Sequence, residues 1–483
     1  MRAARTITMK KSLLILFLLS LPFFLTAQSD DDLFGGSDDA LFSSDDDLFG
    51  DDSISEVSDV AAKSDLSKGV IFDAGSIKVG GSLSAGLDTN TVLWGPDQED
   101  LGDNIHNTSL KPDLSAMLSV DARPTDTLRL YTKFGLEYPF VDKTSVKWNM
   151  KNPKQPDLSL TIDNWFKLKE LFTDFSYKDT AYFRFGVHTV TWGAGYFFSP
   201  VSDMINSSSI DPEHPEKQVD GSLNLRTQII IPNSQNCLWF YVIPSTKFKN
   251  QTAESYARDT ALAGKADILI GNWELGVGGL YKYNSAPKAM LTATGSLKKV
   301  SFFGEFVYSY GAVSEWAKNT DWDDKTSIFQ ATAGLSYYWK EQKINLAAQY
   351  LFEGNDKDFS KKISQYGHNI ALMASKGDLF KNPDLSLNLF AIANFGRKEA
   401  TVEDMVALNP DLAPIAKTAP AEVEKAAKQA SSAIPALRTS LTLTYTPFKD
   451  VSFGLGPVLT FYDYEKKPTT SLKLTAKLGG GKF

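Results

Sequence analysis

From about residue 74 the chain alternates apolar and polar positions. Leu128, Leu130, Thr132, Phe134, Leu136 and Tyr138 interleave with Arg129, Tyr131, Lys133, Gly135 and Glu137. A period of two puts the first set on one face of a strand and the second on the other, whereas a helix would scatter both around its girth. The pattern returns at Leu437 to Tyr445, Leu223 to Ile229, Leu114 to Val120, Ile344 to Phe352, Leu385 to Phe395 and Val451 to Phe461. About 18 strands (16–18) are predicted, near 75–88, 113–122, 127–138, 165–177, 181–192, 221–231, 237–244, 260–270, 272–283, 287–297, 299–311, 326–338, 343–353, 366–376, 384–395, 436–446, 450–463 and 469–478.

The links between these strands alternate in length. After every second strand the link is short and turn-like, as in Arg123-Pro124-Thr125-Asp126, Tyr177-Lys178-Asp179-Thr180 and Gly271-Asn272. The others are mostly long: 89–112, 139–164, 193–220, 245–259, 312–325, 354–365 and 396–435. Short turns at one rim, long loops at the other and strands of ten or more residues predict an all-β fold, a transmembrane antiparallel β-barrel. Aromatic residues gather at strand ends, as at Tyr281 and Tyr283, Tyr337 to Trp339 and Phe461 to Tyr464, which suits rings with an apolar body and a polar tip at the headgroup level. A soluble sandwich would have shorter strands, and a propeller would show a repeat of 40 to 50 residues that the sequence lacks. An even strand number sends both termini to the short-turn side, expected to be periplasmic.

The domain reading is a signal peptide at 1–28, an acidic low-complexity leader at 29–73 and the barrel at 74–483. Arg2, Arg5, Lys10 and Lys11 precede an apolar run from Leu13 to Leu25 that closes on Ala27, the parts of a secretory signal. About 13 apolar residues are too few to cross a bilayer as a helix, and no later window is apolar enough to do so. The leader repeats Ser29-Asp30-Asp31-Asp32-Leu33-Phe34, Ser37-Asp38-Asp39-Ala40-Leu41-Phe42 and Ser44-Asp45-Asp46-Asp47-Leu48-Phe49. Two apolar residues per repeat do not offset the cost of ordering such dense like charge, so a disordered leader is expected. Its Leu-Phe pairs could instead be a linear motif read by a periplasmic partner or assembly factor.

Composition narrows the function. The 483 residues carry 50 Lys+Arg against 58 Asp+Glu, a net charge of −8, which argues against a nucleic-acid partner. One cysteine excludes an intrachain disulfide framework. The four histidines are dispersed, and there is no glycine-rich phosphate loop, Gly-x-Ser-x-Gly elbow or metal-spaced His pair. Neither an enzyme nor a bound cofactor or metal is expected.

If the apolar face meets lipid, the alternate face lines the interior. It would carry Lys78, Arg129, Lys133, Arg184, Arg226, Lys265, Lys282, Arg438, Lys473 and Lys477 against Asp121, Glu137, Glu170, Asp174, Asp267, Glu274 and Glu305. So polar a wall cannot pack dry, and a barrel of this size admits an aqueous channel. The candidate pore-lining residues are Arg129, Lys133, Glu137, Arg184, His188, Arg226, Lys265, Glu305 and Arg438. Arg129, Lys133, Arg184 and Arg226 would form a basic ladder favouring anions, unless Glu137, Glu170 and Asp174 pair with them along the wall. The link 193–220 begins Gly193, Gly195, Tyr196, Phe197, Phe198 and is expected to fold inward, with Trp192, Tyr196, Phe197 and Asp203 as constriction candidates. In 396–435 a run of helix formers from Pro420 to Ala430 predicts a helix, lying on the surface or across the mouth.

The pattern as a whole resembles Gram-negative outer-membrane porins. The segment Arg184-Phe185-Gly186-Val187-His188-Thr189-Val190-Thr191-Trp192-Gly193-Ala194-Gly195-Tyr196-Phe197-Phe198-Ser199-Pro200, with Asp203 and Asn206 following, is similar to a motif of R-x-G, then W-G, then an aromatic pair in several families of outer-membrane barrels. Phe483 resembles their terminal insertion signal, though Gly479-Gly480-Gly481 interrupts the alternation. The resemblance implies outer-membrane lipid as the solvent of the apolar face, insertion by the barrel-assembly machinery, and a homotrimer as in many porins. The expected function is passive diffusion of small hydrophilic solutes. The alternatives are a plugged barrel serving as an adhesin or structural surface protein, and a channel for apolar solutes, which the polar interior disfavours.

Overall fold

The computed structural model describes residues 70–73, 75–95, 108–137, 144–148, 158–162, 166–178, 180–206, 208–213, 215, 219–245, 252–358, 366–396, 399–408, 412–432, 434–448 and 451–479. Contacts divide the chain into 1–46 and 47–483, and every described residue belongs to the second unit. The signal peptide, the acidic repeats and Phe483 lie outside the described residues.

The strands, in chain order, are β1 (Val70–Asp73), β2 (Ile77–Trp94), β3 (Ser109–Thr125), β4 (Leu128–Glu137), β5 (Thr144–Trp148), β6 (Leu158–Ile162), β7 (Phe166–Tyr177), β8 (Ala181–His188), β9 (Ser222–Ile230), β10 (Cys237–Ile243), β11 (Ala261–Ile270) and β12 (Trp273–Lys282). There follow β13 (Lys288–Leu297), β14 (Val300–Tyr310), β15 (Ser327–Trp339), β16 (Ile344–Glu353), β17 (Gly367–Lys376), β18 (Leu385–Phe395), β19 (Leu437–Phe448), β20 (Val451–Phe461) and β21 (Thr469–Leu478). Eighteen of them pair antiparallel with their neighbours in chain order, and β2 pairs with β21 to close the ring. The molecule is a closed 18-stranded antiparallel β-barrel. All eighteen predicted strands are present, most within two residues of their expected ends.

Three differences are informative. β1 pairs with the start of β2, so the sheet begins inside the stretch read as leader. The link 139–164 contains a separate hairpin, β5 with β6. β8 ends at His188 rather than 192, because the chain leaves the wall there. Val190 and Trp192 keep the strand-like alternation but bury in a core inside the barrel.

The register is consistent around the whole ring. Lys78 faces Asp121, Arg129 faces Asp174, Asp174 faces Arg184, Arg184 faces Arg226, Thr292 faces Glu305 and Arg438 faces Thr460. The sixteen charges assigned to the inner face from sequence whose side chains are described therefore share one face. On the other face Leu130, Phe240, Leu262, Val277, Leu291, Leu441 and Leu455 are exposed. An apolar outside around a polar inside inverts a water-soluble β-protein and is what a strand-built membrane span requires. Among the described residues no helix is long and apolar enough to cross a membrane. At the short-turn rim, Gly271 takes φ +60°, a left-handed conformation that permits the two-residue turn from β11 to β12.

Candidate pore constriction

The link from His188 to Ser222 folds into the barrel. At its root the Asn206 side chain closes a ring on Val190, accepting from its N–H at 2.9 Å and donating to its carbonyl at 2.8 Å. Ser202 Oγ accepts from the N–H groups of Trp192 and Gly193 at 3.2 and 3.0 Å. These side chains take up backbone donors that left the β8 ladder, as buried amides require.

Glu305, on β14, fixes the loop. Its carboxylate accepts from the Gly195 N–H at 2.7 Å, the Val201 N–H at 3.0 Å and the Ser199 hydroxyl at 3.0 Å. Gln349, on β16, is the second anchor. Its Oε1 accepts from the Phe197 N–H at 2.7 Å, and its Nε2 donates at 2.6 Å both to the Phe198 carbonyl and to Thr332 Oγ1. Lys265, on β11, donates to the Trp192 carbonyl at 3.0 Å and pairs with Asp267 at 2.8 Å. Glycine is needed here: a Cβ on Gly193 would sit 2.1 Å from Glu305 Oε1, and one on Gly195 1.8 Å from the Phe198 carbonyl oxygen.

Apolar packing completes the attachment. Val190, Trp192, Val201 and Ile205 pack with the inward-facing Tyr241, Ala263, Met290 and Val307, and Trp192 meets Tyr241 edge to face at 4.9 Å. Phe197 and Phe198 pack on Ala347, Leu351 and Ala371, with Phe390 beside them. Burying a side chain of this size stabilises by about 1.5–3 kcal/mol, so the loop is held by dry packing as well as by its two polar anchors. Further along, Glu213 pairs with Arg438 at 2.5 Å. Arg438 is on β19, seven neighbours from β8 by the shorter way round the ring of eighteen. The loop therefore runs across the interior from one wall towards the other.

The sequence-derived candidates fall into two groups. Under the loop are Lys265 and Glu305, 8% and 4% exposed, and His188 at 1%. The register puts them on the inner face, but they are covered, so they hold or back the loop instead of lining open wall. Trp192 and Phe197 are buried in its two cores, Tyr196 packs edge-on against Phe197 at 4.7 Å, and Asp203 is half-buried within the short 3-10 turn Ser202–Met204. Outside the two cores of the loop stand Arg129, Lys133, Arg184 and Arg226. Arg184 makes two bonds to Asp174, at 2.6 and 2.9 Å, and Arg129 bonds Asp121 at 3.1 Å and approaches Asp174 to 3.6 Å. Their guanidiniums also stack, Arg184 on Phe172 at 4.0 Å, Arg129 on Tyr131 at 5.0 Å and Arg226 on Trp239 at 5.5 Å. Lys133 is buried opposite Glu170 in the register. The backbone of Glu137 pairs with Ser115, and its side chain lies outside the described residues.

Gln349 and Ser202 were missed by sequence reasoning. A signal was present: Met290, Val307, Leu351, Phe390 and Ile392 are apolar at positions the alternation assigns to the polar face. An apolar patch on the inner wall marks where something docks.

No family model matches the chain, and none of the curated proteins matches it. Solved structures do. The chain is similar to the outer membrane protein OpdK of Pseudomonas aeruginosa, with 8% identity over 83% of this chain and 98% of that one, at a TM-score of 0.45. It is similar to OccK10 (OpdN) of the same organism, with 10% identity, 83% and 98% coverage and a TM-score of 0.44. The outer membrane channel DcaP of Acinetobacter baumannii shares 12% identity over 84% and 98%, at a TM-score of 0.40. At such values the architecture rests on the strand pairing of this chain itself.

Proposed function

We propose that the protein is an outer-membrane, porin-like channel for passive diffusion of small hydrophilic solutes. One observation carries the reading: a closed 18-strand ring turns its exposed apolar side chains outward and the sixteen described charges of its inner face inward, with a loop fixed inside it. Charge on that wall requires water, and a water column walled by lipid-facing strands conducts. The inward loop narrows the column and sets the size limit of the solute. Arg129 and Arg184 are paired with Asp121 and Asp174, which supports a mild selectivity for anions over a strong one. Outer-membrane lipid is the surrounding solvent, the barrel-assembly machinery the expected insertion partner, and a trimer the expected assembly.

The test is planar-bilayer recording of the purified full chain. Stepwise ohmic currents are expected. A barrel that inserts yet carries no ion current would replace this reading with the second one, a plugged barrel acting as an adhesin or structural surface protein, which the size of the inward loop favours. Separation in mild detergent with cross-linking checks the trimer.

A further inference from the structure

Behind the root of the loop lies a group of enclosed polar atoms that conduction does not use. His188 is buried; its ring interacts weakly with the Gly186 backbone, and neither ring nitrogen makes a hydrogen bond of normal geometry among the described residues. Ser222 stands opposite it in the register of β8 and β9, and its enclosed Oγ has no partner there. Asn224, on the same face, is fully buried; its Nδ2 donates to the Ser222 carbonyl at 2.8 Å while Oδ1 is unpaired.

The walls are close. The Phe172 and His188 ring centroids lie 5.9 Å apart, edge to face, and a Cβ on Gly221 would meet the His188 carbonyl carbon at 2.1 Å. The Thr189 hydroxyl, donating to the Val219 carbonyl at 2.7 Å, ties the two loop stems together over the group. The charges around it are unequal in reach. Arg184 and Arg226 face each other in the register and both bear on His188 electrostatically. Asp174 is engaged by two bonds from Arg184, and the exposed Asp220 pairs with Lys169 at 3.4 Å.

Native proteins answer buried polar atoms of this kind with ordered water or an ion. The sense of the donors and the sign of the field choose between them. A neutral imidazole offers one N–H and a hydroxyl one O–H, and two guanidiniums stand behind them. We propose that this cluster binds one small inorganic anion of halide size, held by the His188 ring N–H and the Ser222 hydroxyl in the field of Arg184 and Arg226. A water links it to Asn224 Oδ1. The ion then braces the point where β8 leaves the wall and the loop begins.

The test uses the full chain in detergent. Crystals grown in sodium bromide should give an anomalous peak within hydrogen-bond distance of His188 and Ser222 Oγ. Replacing sodium gluconate by sodium bromide at fixed ionic strength should raise the unfolding temperature to a plateau. Ser222→Ala, which keeps the shape of the wall, should lose that rise. Water density without an anomalous peak would overturn the proposal, as would an equal bromide-dependent rise in the parent and in Ser222→Ala.

Discussion

The two sides of the inner wall solve different problems with the same strand geometry. From β11 to β18 the inward face is mostly small or apolar, with Glu305 and Gln349 set in it, and the loop seals it. From β3 to β9 the inward face carries Arg129, Arg184 and Arg226 with Asp121 and Asp174, and its charges are answered by one another and by aromatic faces. The covered side is locked by the Glu305 carboxylate, which gathers three donors, and by the Gln349 amide. The charged side is a ladder of pairs, each partly open to the lumen. A buried anchor is costly to remove because the groups it satisfied stay buried, whereas a wetted pair is replaced by water at little cost.

The largest effect that would break this contrast is expected at Glu305. Glu305→Ala takes the acceptor from the Gly195 and Val201 N–H groups and the Ser199 hydroxyl, leaving buried donors unmet at about 1–3 kcal/mol each. The loop should undock and the single-channel conductance should rise; a conductance equal to that of the parent would mean the loop does not limit the column. Next comes Arg184→Ala, which leaves Asp174 without its bidentate partner on the wetted side. The reversal potential in a salt gradient should shift towards cations, more so with Arg129→Ala and Lys133→Ala added. Unchanged potentials would place these residues out of reach of permeating ions.

Arg438→Ala should be milder. The Arg438–Glu213 pair is about one-third exposed on both sides, and such pairs contribute roughly 0–1 kcal/mol. Conductance should stay near the parent value with more open-channel noise; full opening would promote this pair to a main anchor. The smallest effect concerns the long-loop rim, where Asp358 accepts from the Val313 and Ser314 N–H groups at 2.8 and 2.9 Å. Burial works against its ionisation, but bonds from Asn355, Ser314 and Val313 outweigh it and hold the carboxyl below the ordinary aspartate value. A pKa depressed by folding gives stability that is present above the unfolded value, about 3.9, and is lost as pH falls through the lower folded one. The hydrogen-exchange protection factors of 311–326 should therefore be unchanged from pH 7 to about 5 and fall only in stronger acid.

Much of this architecture was legible along the chain. The alternation at Leu128–Glu137 or Leu437–Tyr445 fixes which side chains share a face, and a strand cannot change that without a bulge. Turn residues such as Gly271-Asn272 fix where it reverses. The inward course of 193–220 was legible from its glycines and aromatics. The partners of that loop were not, because Glu305 and Gln349 lie more than 100 and 150 residues away and look like any other inward-facing polar residue.

What the sequence determined by itself is local: the period, the strand ends, the count near eighteen and the sign of each face, all set by neighbours two residues apart. The tertiary structure decided which inward residues meet water. Lys265, His188 and Glu305 obey the same alternation as Arg129, yet the loop that follows β8 covers them. Burial inside a barrel is a property of the closed ring and of what crosses it, and no stretch of strand carries that information alone.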